Sequence, residues 1–147
     1  MQASAQWIAD AVSGRLVGPD ACVTGTVVTD SREASAGSLY VARRGENADG
    51  HAFVHGAIER GAVAVIAERE LEEAVAQIIV EDSTRALGDL ARAHVDALRS
   101  RGTLDVIAMT GSVGKTTTKD LLLQILSEDG PTVAPKLSFN NEVGLPL

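Results

Sequence analysis

This 147-residue chain is short of aromatic side chains, of cysteine and of positive charge. Aromatic residues make up 3% of it against 45% hydrophobic residues, so its core must be built from Ala, Val, Leu and Ile. That composition is common in stacked α/β layers. Cys22 stands alone, which excludes an intrachain disulfide and fits a reducing cytoplasm. The formal net charge of −7 leaves no basic face for general binding to nucleic acid or to an anionic membrane. Any anionic ligand must therefore be held by a few local groups. No apolar run approaches the roughly 20 residues needed to cross a bilayer. The N-terminus, which carries Asp10, has no basic segment followed by an apolar one. The expectation is a cytoplasmic protein, and the length suits one ordinary domain or one small domain plus part of another.

What the chain does have is the stretch Met109 to Lys119, MTGSVGKTTTK. The preceding residues 105–109, DVIAM, are short and apolar, as a strand buried on both faces of a parallel sheet would be. Beyond Lys115, Leu121, Leu122, Ile125 and Leu126 recur at helical spacing. The pattern is strand, tight loop, helix, the context that a phosphate-binding loop requires. Gly111 and Gly114 allow positive φ and let backbone N–H groups of Thr110, Ser112, Val113 and their neighbours approach an anion. The helix start adds partial positive charge. Lys115 is placed to neutralise the β- and γ-phosphates of a nucleotide, and the Thr116 hydroxyl to ligate the Mg²⁺ that bridges them. The general GxxxxGK[ST] pattern is incomplete, because Met109 stands where its first glycine would fall. The competing reading is a strand-to-helix turn that happens to expose a lysine.

The rest of the chain divides from this segment near residues 100–103. Trp7, Ile8, Ala11 and Val12 predict a first helix with Ser4 as N-cap and Gly14 as its stop. Residues 15–17, 23–29 and 39–42 read as short strands, with Gly18-Pro19-Asp20 as a turn. Phe53, Val54, Ala57 and Ile58 mark a helix ending at Gly61. Residues 62–67 follow as a continuous apolar strand and 78–80 as another. Leu87, Leu90, Ala91, His94 and Leu98 predict a long amphipathic helix with His94 on its buried stripe. The acidic run 68–73 reads as a solvated segment, and 132–134 as strand-like. The expected fold is α/β: a small N-terminal α/β domain over 1–102, then over 103–147 the first strand, loop and helix of a parallel-sheet ATPase domain. About 45 residues cannot complete a doubly wound sheet, so the second part is expected to be truncated.

Two polar segments in the first part could carry ligand chemistry. Thr29-Asp30-Ser31-Arg32 ends a predicted strand. Asp30 and Ser31 can bond to main-chain N–H groups there, and Arg32 can pair with a phosphate or carboxylate, or simply be solvated. The polar loop from Arg43 to Phe53, RRGENADGHAF, runs from a strand into a helix and brings two arginines into an otherwise acidic chain. Asp49 or His51 is positioned to cap the helix that follows. His51 and His55 are spaced i, i+4, but no third ligand is evident for a metal.

Together these residues resemble the Mur ligases. TGSVGKTTTK at 110–119, SFNNEVGLPL at 138–147, TDSR at 29–32 and RGENADGHAF at 44–53 occur in that family's order and spacing over nearly the whole chain. The phosphate loop alone would admit any Mur ligase or a folylpolyglutamate synthase. The NNEVG tail and the GEN-DGH-F loop point to the branch that joins D-alanyl-D-alanine to UDP-N-acetylmuramoyl-tripeptide, with the enzyme adding the third peptide residue as the alternative. Val113 departs from the asparagine common in this loop. The resemblance implies a three-domain, monomeric cytoplasmic enzyme of peptidoglycan synthesis that uses ATP and Mg²⁺ and forms an acyl phosphate. This chain would hold the UDP-precursor domain and the opening of the ATPase domain, and would be inactive alone. It also implies that 110–117 bind ATP with Lys115 catalytic, that Thr116 binds the metal, and that Ser31, Arg32, Arg44, Asn47, Asp49 and His51 lie near the UDP-sugar. Asn140, Asn141 and Glu142 would lie near the γ-phosphate or second substrate. A modified lysine and a metal-binding glutamate belong later in the family's sequence. A regulatory GTPase would need NKxD and DxxG motifs, and neither occurs before Leu147. A pure UDP-sugar binding module remains the third reading.

Overall fold

The computed structural model describes residues 1–45, 48–102, 104–135 and 146. Its elements are β1 (Ala3–Ser4), α1 (Ala5–Ala11), β2 (Arg15–Val17), β3 (Cys22–Val23), β4 (Val27–Val28), β5 (Ser38–Val41), α2 (Val54–Glu59), β6 (Ala62–Ala67), β7 (Ala76–Ile79), α3 (Ser83–Ser100) and α4 (Lys115–Asp129). Short 3-10 turns lie at Ser31–Glu33 and Gly50–Phe53.

β6 has no polar face because both of its faces are buried. Five strands form one sheet in the order β2-β7-β6-β5-β4; β4 to β7 are parallel and β2 is antiparallel to β7. Successive residues then alternate between two cores. Leu39, Val41, Ala64, Ile66 and Ile78 pack with Ile8, Ala9, Leu87 and Leu90 from α1 and α3. Tyr40, Ala42, Val65 and Ala67 pack with Val54 and Ala57 of α2. The result is a three-layer α/β/α unit, in agreement with the expected fold class. Burial of each large aliphatic side chain stabilises it by roughly 1.5–3 kcal/mol. Gly61 (φ +106°) is required where the chain turns into β6, since a Cβ there would lie 2.8 Å from the Ala36 Cα.

Several expectations need correction. The predicted strand 23–29 is two short strands. Between them the N–H groups of Thr24 and Gly25 both donate to the Gly37 carbonyl, at 3.1 and 2.9 Å, which takes them off any ladder. Ser4 caps α1 as expected, its Oγ accepting from Trp7 N–H at 3.1 Å. Helix α1 ends before Gly14, and the left-handed residue after it is Ser13 (φ +54°). His94 is only half-buried and lines a cavity of about 290 Å³ with Thr26, Leu87 and Leu90, because the buried stripe of α3 stops at Leu90. Residues 105–109 and 132–134 form no strand; Val106, Ile107 and Val133 are exposed, and among the described residues no neighbouring strand pairs with them.

Candidate functional site

Because β4, β5 and β6 run parallel, the segments that leave their carboxyl ends gather along one edge of the sheet, where open α/β sheets place ligands. The first is the TDSR turn. Asp30 Oδ1 accepts from the Arg32 N–H and Nε, both at 2.9 Å, and Oδ2 accepts from Nη2 at 2.6 Å. The Arg32 guanidinium bonded to Asp30 holds its carboxyl down at about 2 and in turn pushes the arginine's own pKa up. Arg32 is thus anchored on one edge while its side chain remains 83% exposed. Ser31, half-buried, opens the same turn.

The second segment is the loop after β5, most of whose described residues are tied down. Gly50 N–H donates to the Arg43 carbonyl at 2.7 Å, and Arg44 and Asp49 form an antiparallel bridge. Arg43 Nε donates to Thr84 Oγ1 at 3.0 Å. The Tyr40 hydroxyl donates to the Gly50 carbonyl at 3.0 Å, and burial raises its pKa, so it stays a donor. Asp49 caps the following turn by accepting from His51 N–H at 3.0 Å. That bond, with the His51 ring, lowers its carboxyl to about 2.

The family resemblance implies that His51 lies near the UDP-sugar; in the structure its ring is buried and bonded within the fold. The side chain has no exposed surface. Nε2 accepts from Glu68 N–H at 2.9 Å, so the proton belongs on Nδ1, which lies 2.5 Å from Asp49 Oδ1. Both ring nitrogens are occupied by partners within the fold. Exposed His55 faces Glu59, and no group of three or more metal-ligating side chains occurs among the described residues. Asn47, Asn140, Asn141 and Glu142 lie outside the described residues.

Glu68 is the residue that sequence reasoning missed. Instead of being solvated, its side chain is only 17% exposed. Oε1 accepts from Ser83 N–H and Oγ at 3.2 and 2.9 Å, and Oε2 pairs with Arg44 Nε at 3.2 Å. The available signal was its place directly after an uninterrupted buried strand.

The third place is the glycine-rich turn. Gly114 adopts φ +81° and precedes α4 without any side-chain cap, and Lys115 is the first helical residue. The Lys115 ammonium donates to the Gly111 carbonyl. Thr110, Ser112, Val113, Thr116 and Thr117 are exposed around it. Uncapped N–H groups, a helix dipole and a lysine within one turn fit a polyanion.

Comparison with known proteins bears on these features. The family profile described as "Mur ligase family, catalytic domain" matches residues 25–95. Over 123 residues the chain is 42% identical to the UDP-N-acetylmuramoyl-tripeptide--D-alanyl-D-alanine ligase of Synechocystis, an alignment covering 82% of this chain and 26% of that protein. The crystal structure of MurF from Acinetobacter baumannii superposes with a TM-score of 0.87 at 36% identity, covering 99% of this chain and 32% of the other. MurF from Thermotoga maritima, solved in complex with ADP, gives a TM-score of 0.68 at 36% identity, over 84% and 28% of the two chains. The chain thus spans less than a third of the length of these relatives. A likeness that runs through the sheet and the glycine-rich turn together identifies it: the chain belongs to the Mur ligase family.

Proposed function

We propose that this chain is part of an ATP-dependent ligase that joins D-alanyl-D-alanine to UDP-N-acetylmuramoyl-tripeptide in peptidoglycan precursor synthesis. Residues 1–102 hold the UDP precursor, and 103–147 open the ATP-binding domain. The observation that carries the reading is the coexistence of an arginine-bearing, tightly braced sheet edge with an uncapped lysine-led helix start, in a chain alike throughout to relatives named for that reaction.

In this reading the tripeptide carboxylate attacks the γ-phosphorus of ATP, and the amine of D-alanyl-D-alanine then displaces phosphate from the acyl phosphate, leaving the amide, ADP and phosphate. Two anions must be brought together, so the chain's task is neutralisation and alignment. Lys115 neutralises the terminal phosphates while the amides of 110–117 orient them. Thr116 is the residue that would hold Mg²⁺, whose charge offsets that of the phosphates. At the sheet edge, Ser31, Arg32, Arg44, Asn47 and Asp49 bind the nucleotide-sugar, with His51 bracing them; Asn140, Asn141 and Glu142 serve the γ-phosphate or second substrate. The working state is a cytoplasmic monomer; no helix among the described residues is long and apolar enough to cross a membrane.

Calorimetry of this chain against UDP-N-acetylmuramoyl-tripeptide tests the assignment. Binding is expected, and Arg32→Ala and Arg44→Ala should each weaken it. Wild-type affinity in both variants would remove the arginines from the site.

A further inference from the structure

We infer that Glu68 is a positioning residue that aims Arg44 at the anionic part of the nucleotide-sugar; this rests on the reading of the loop after β5 as the precursor site. Glu68 stands where three chain segments meet. Its backbone N–H is bound by the His51 ring, one carboxylate oxygen is bound by Ser83 at the start of α3, and the other faces Arg44. The geometry is asymmetric in a telling way. Helix α3 already has its own cap, since Asp82 Oδ1 accepts from Thr84 and Arg85 N–H at 2.8 and 3.0 Å. Glu68 Oε1 takes the one first-turn amide that Asp82 leaves at the helix start, Ser83 N–H, together with the Ser83 hydroxyl, so this end of the carboxylate is tied to the helix.

What Glu68 gains from Ser83 is a fixed orientation for Oε2. Ser83 is wholly buried, so the anchored end of the carboxylate cannot swing. Arg44 lies at the other end: a 63% exposed side chain with Glu68 as its only ion partner among the described residues. An exposed arginine loses rotamer freedom when it binds a ligand, and one held at Nε by a rigid carboxylate has lost part of it beforehand. The ion pair is made at Nε, so the terminal nitrogens of the planar guanidinium are left for a ligand. Supporting a binding residue through a largely covered neighbour that is itself anchored is how a site is held to the accuracy that recognition needs.

Glu68→Gln separates this role from a merely structural one. The amide oxygen can still accept from Ser83, while the amide nitrogen can no longer pair with Arg44. In the full-length ligase, KM for the UDP precursor should rise roughly three- to tenfold, with kcat and KM for ATP unchanged. The effect should largely vanish in an Arg44→Ala background. Glu68→Asp, which keeps the charge but shortens its reach, should raise KM likewise and serves if the glutamine variant does not fold. An unmoved KM in Glu68→Gln alongside a raised one in Arg44→Ala overturns the role of Glu68 and leaves the loop as the binding site. The same KM rise in both Arg44 backgrounds also overturns it, because Glu68 would then act through the fold. If Arg44→Ala itself changes nothing, Arg44 leaves the site and the inference falls with it, while Arg32→Ala still tests the site reading separately.

Discussion

Residues 1–102 and 104–135 are similarly apolar and end up in opposite environments. In the first, Leu39, Val41, Val65, Ile66 and Ile78 are sealed between helices, and the buried core runs as far as Leu90. In the second, Val106, Ile107, Leu121 and Ile125 are each more than half exposed, and α4 buries no residue. The difference is one of neighbours. A strand such as β6 becomes a strand by pairing on both edges and packing on both faces. The run 105–109 has the same kind of sequence, and among the described residues it has neither. The two candidate sites also differ in particular charged groups. At the sheet edge Asp30 leans on Arg32 and Glu68 on Arg44, whereas Lys115 finds a carbonyl of its own turn.

The largest expected effect lies in the exposed region. Lys115→Ala in a full-length ligase should lower kcat by about 10²–10³-fold, the usual cost of losing one group that stabilises developing charge, while calorimetric affinity for the UDP precursor stays unchanged. Loss of precursor affinity with ATP turnover intact would reverse the assignment of the two regions.

Stability should show the opposite ranking. Ile66→Ala leaves a cavity between β6 and its helices and should cost about 2–5 kcal/mol in urea unfolding. Ile125→Ala, on a side chain 66% exposed, should stay within about 0.5 kcal/mol. Equal costs would mean that α4 is packed as firmly as the sheet.

The smallest effect is a pH dependence confined to the sheet edge. Asp30 and Asp49 titrate at about 2 in the folded chain, below the usual aspartate value of about 3.9. Their contribution is therefore complete above about pH 4 and is lost as pH falls through 2. Urea midpoints should be insensitive to these groups between pH 7 and 5 and decline below 4, less so in Asp49→Asn. An equal decline in that variant would detach Asp49 from the effect.

Much of the site was legible before any coordinates. The glycine at position 114 announces a positive φ, and Asp49 two residues before His51 announces a turn cap. What could not be read is partnership at a distance. Glu68 and Ser83 lie 15 residues apart, and Glu68 reaches Arg44 only because β5 and β6 pair in register. His51 looked like a ligand-facing histidine because a sequence cannot show that both of its nitrogens are already engaged.

The amino-acid sequence by itself determined where the helices arise and which runs are apolar enough to become strands, since hydrophobic period, caps and glycines act over a few residues. It also determined the composition of the glycine-rich turn, whose chemistry is local. Only the tertiary structure decided which apolar segments are buried, which arginine is braced and which is merely clamped to its own turn, and which carboxylate in an acidic run is structural. Each of those depends on a partner that the fold, not the neighbouring residue, brings within reach.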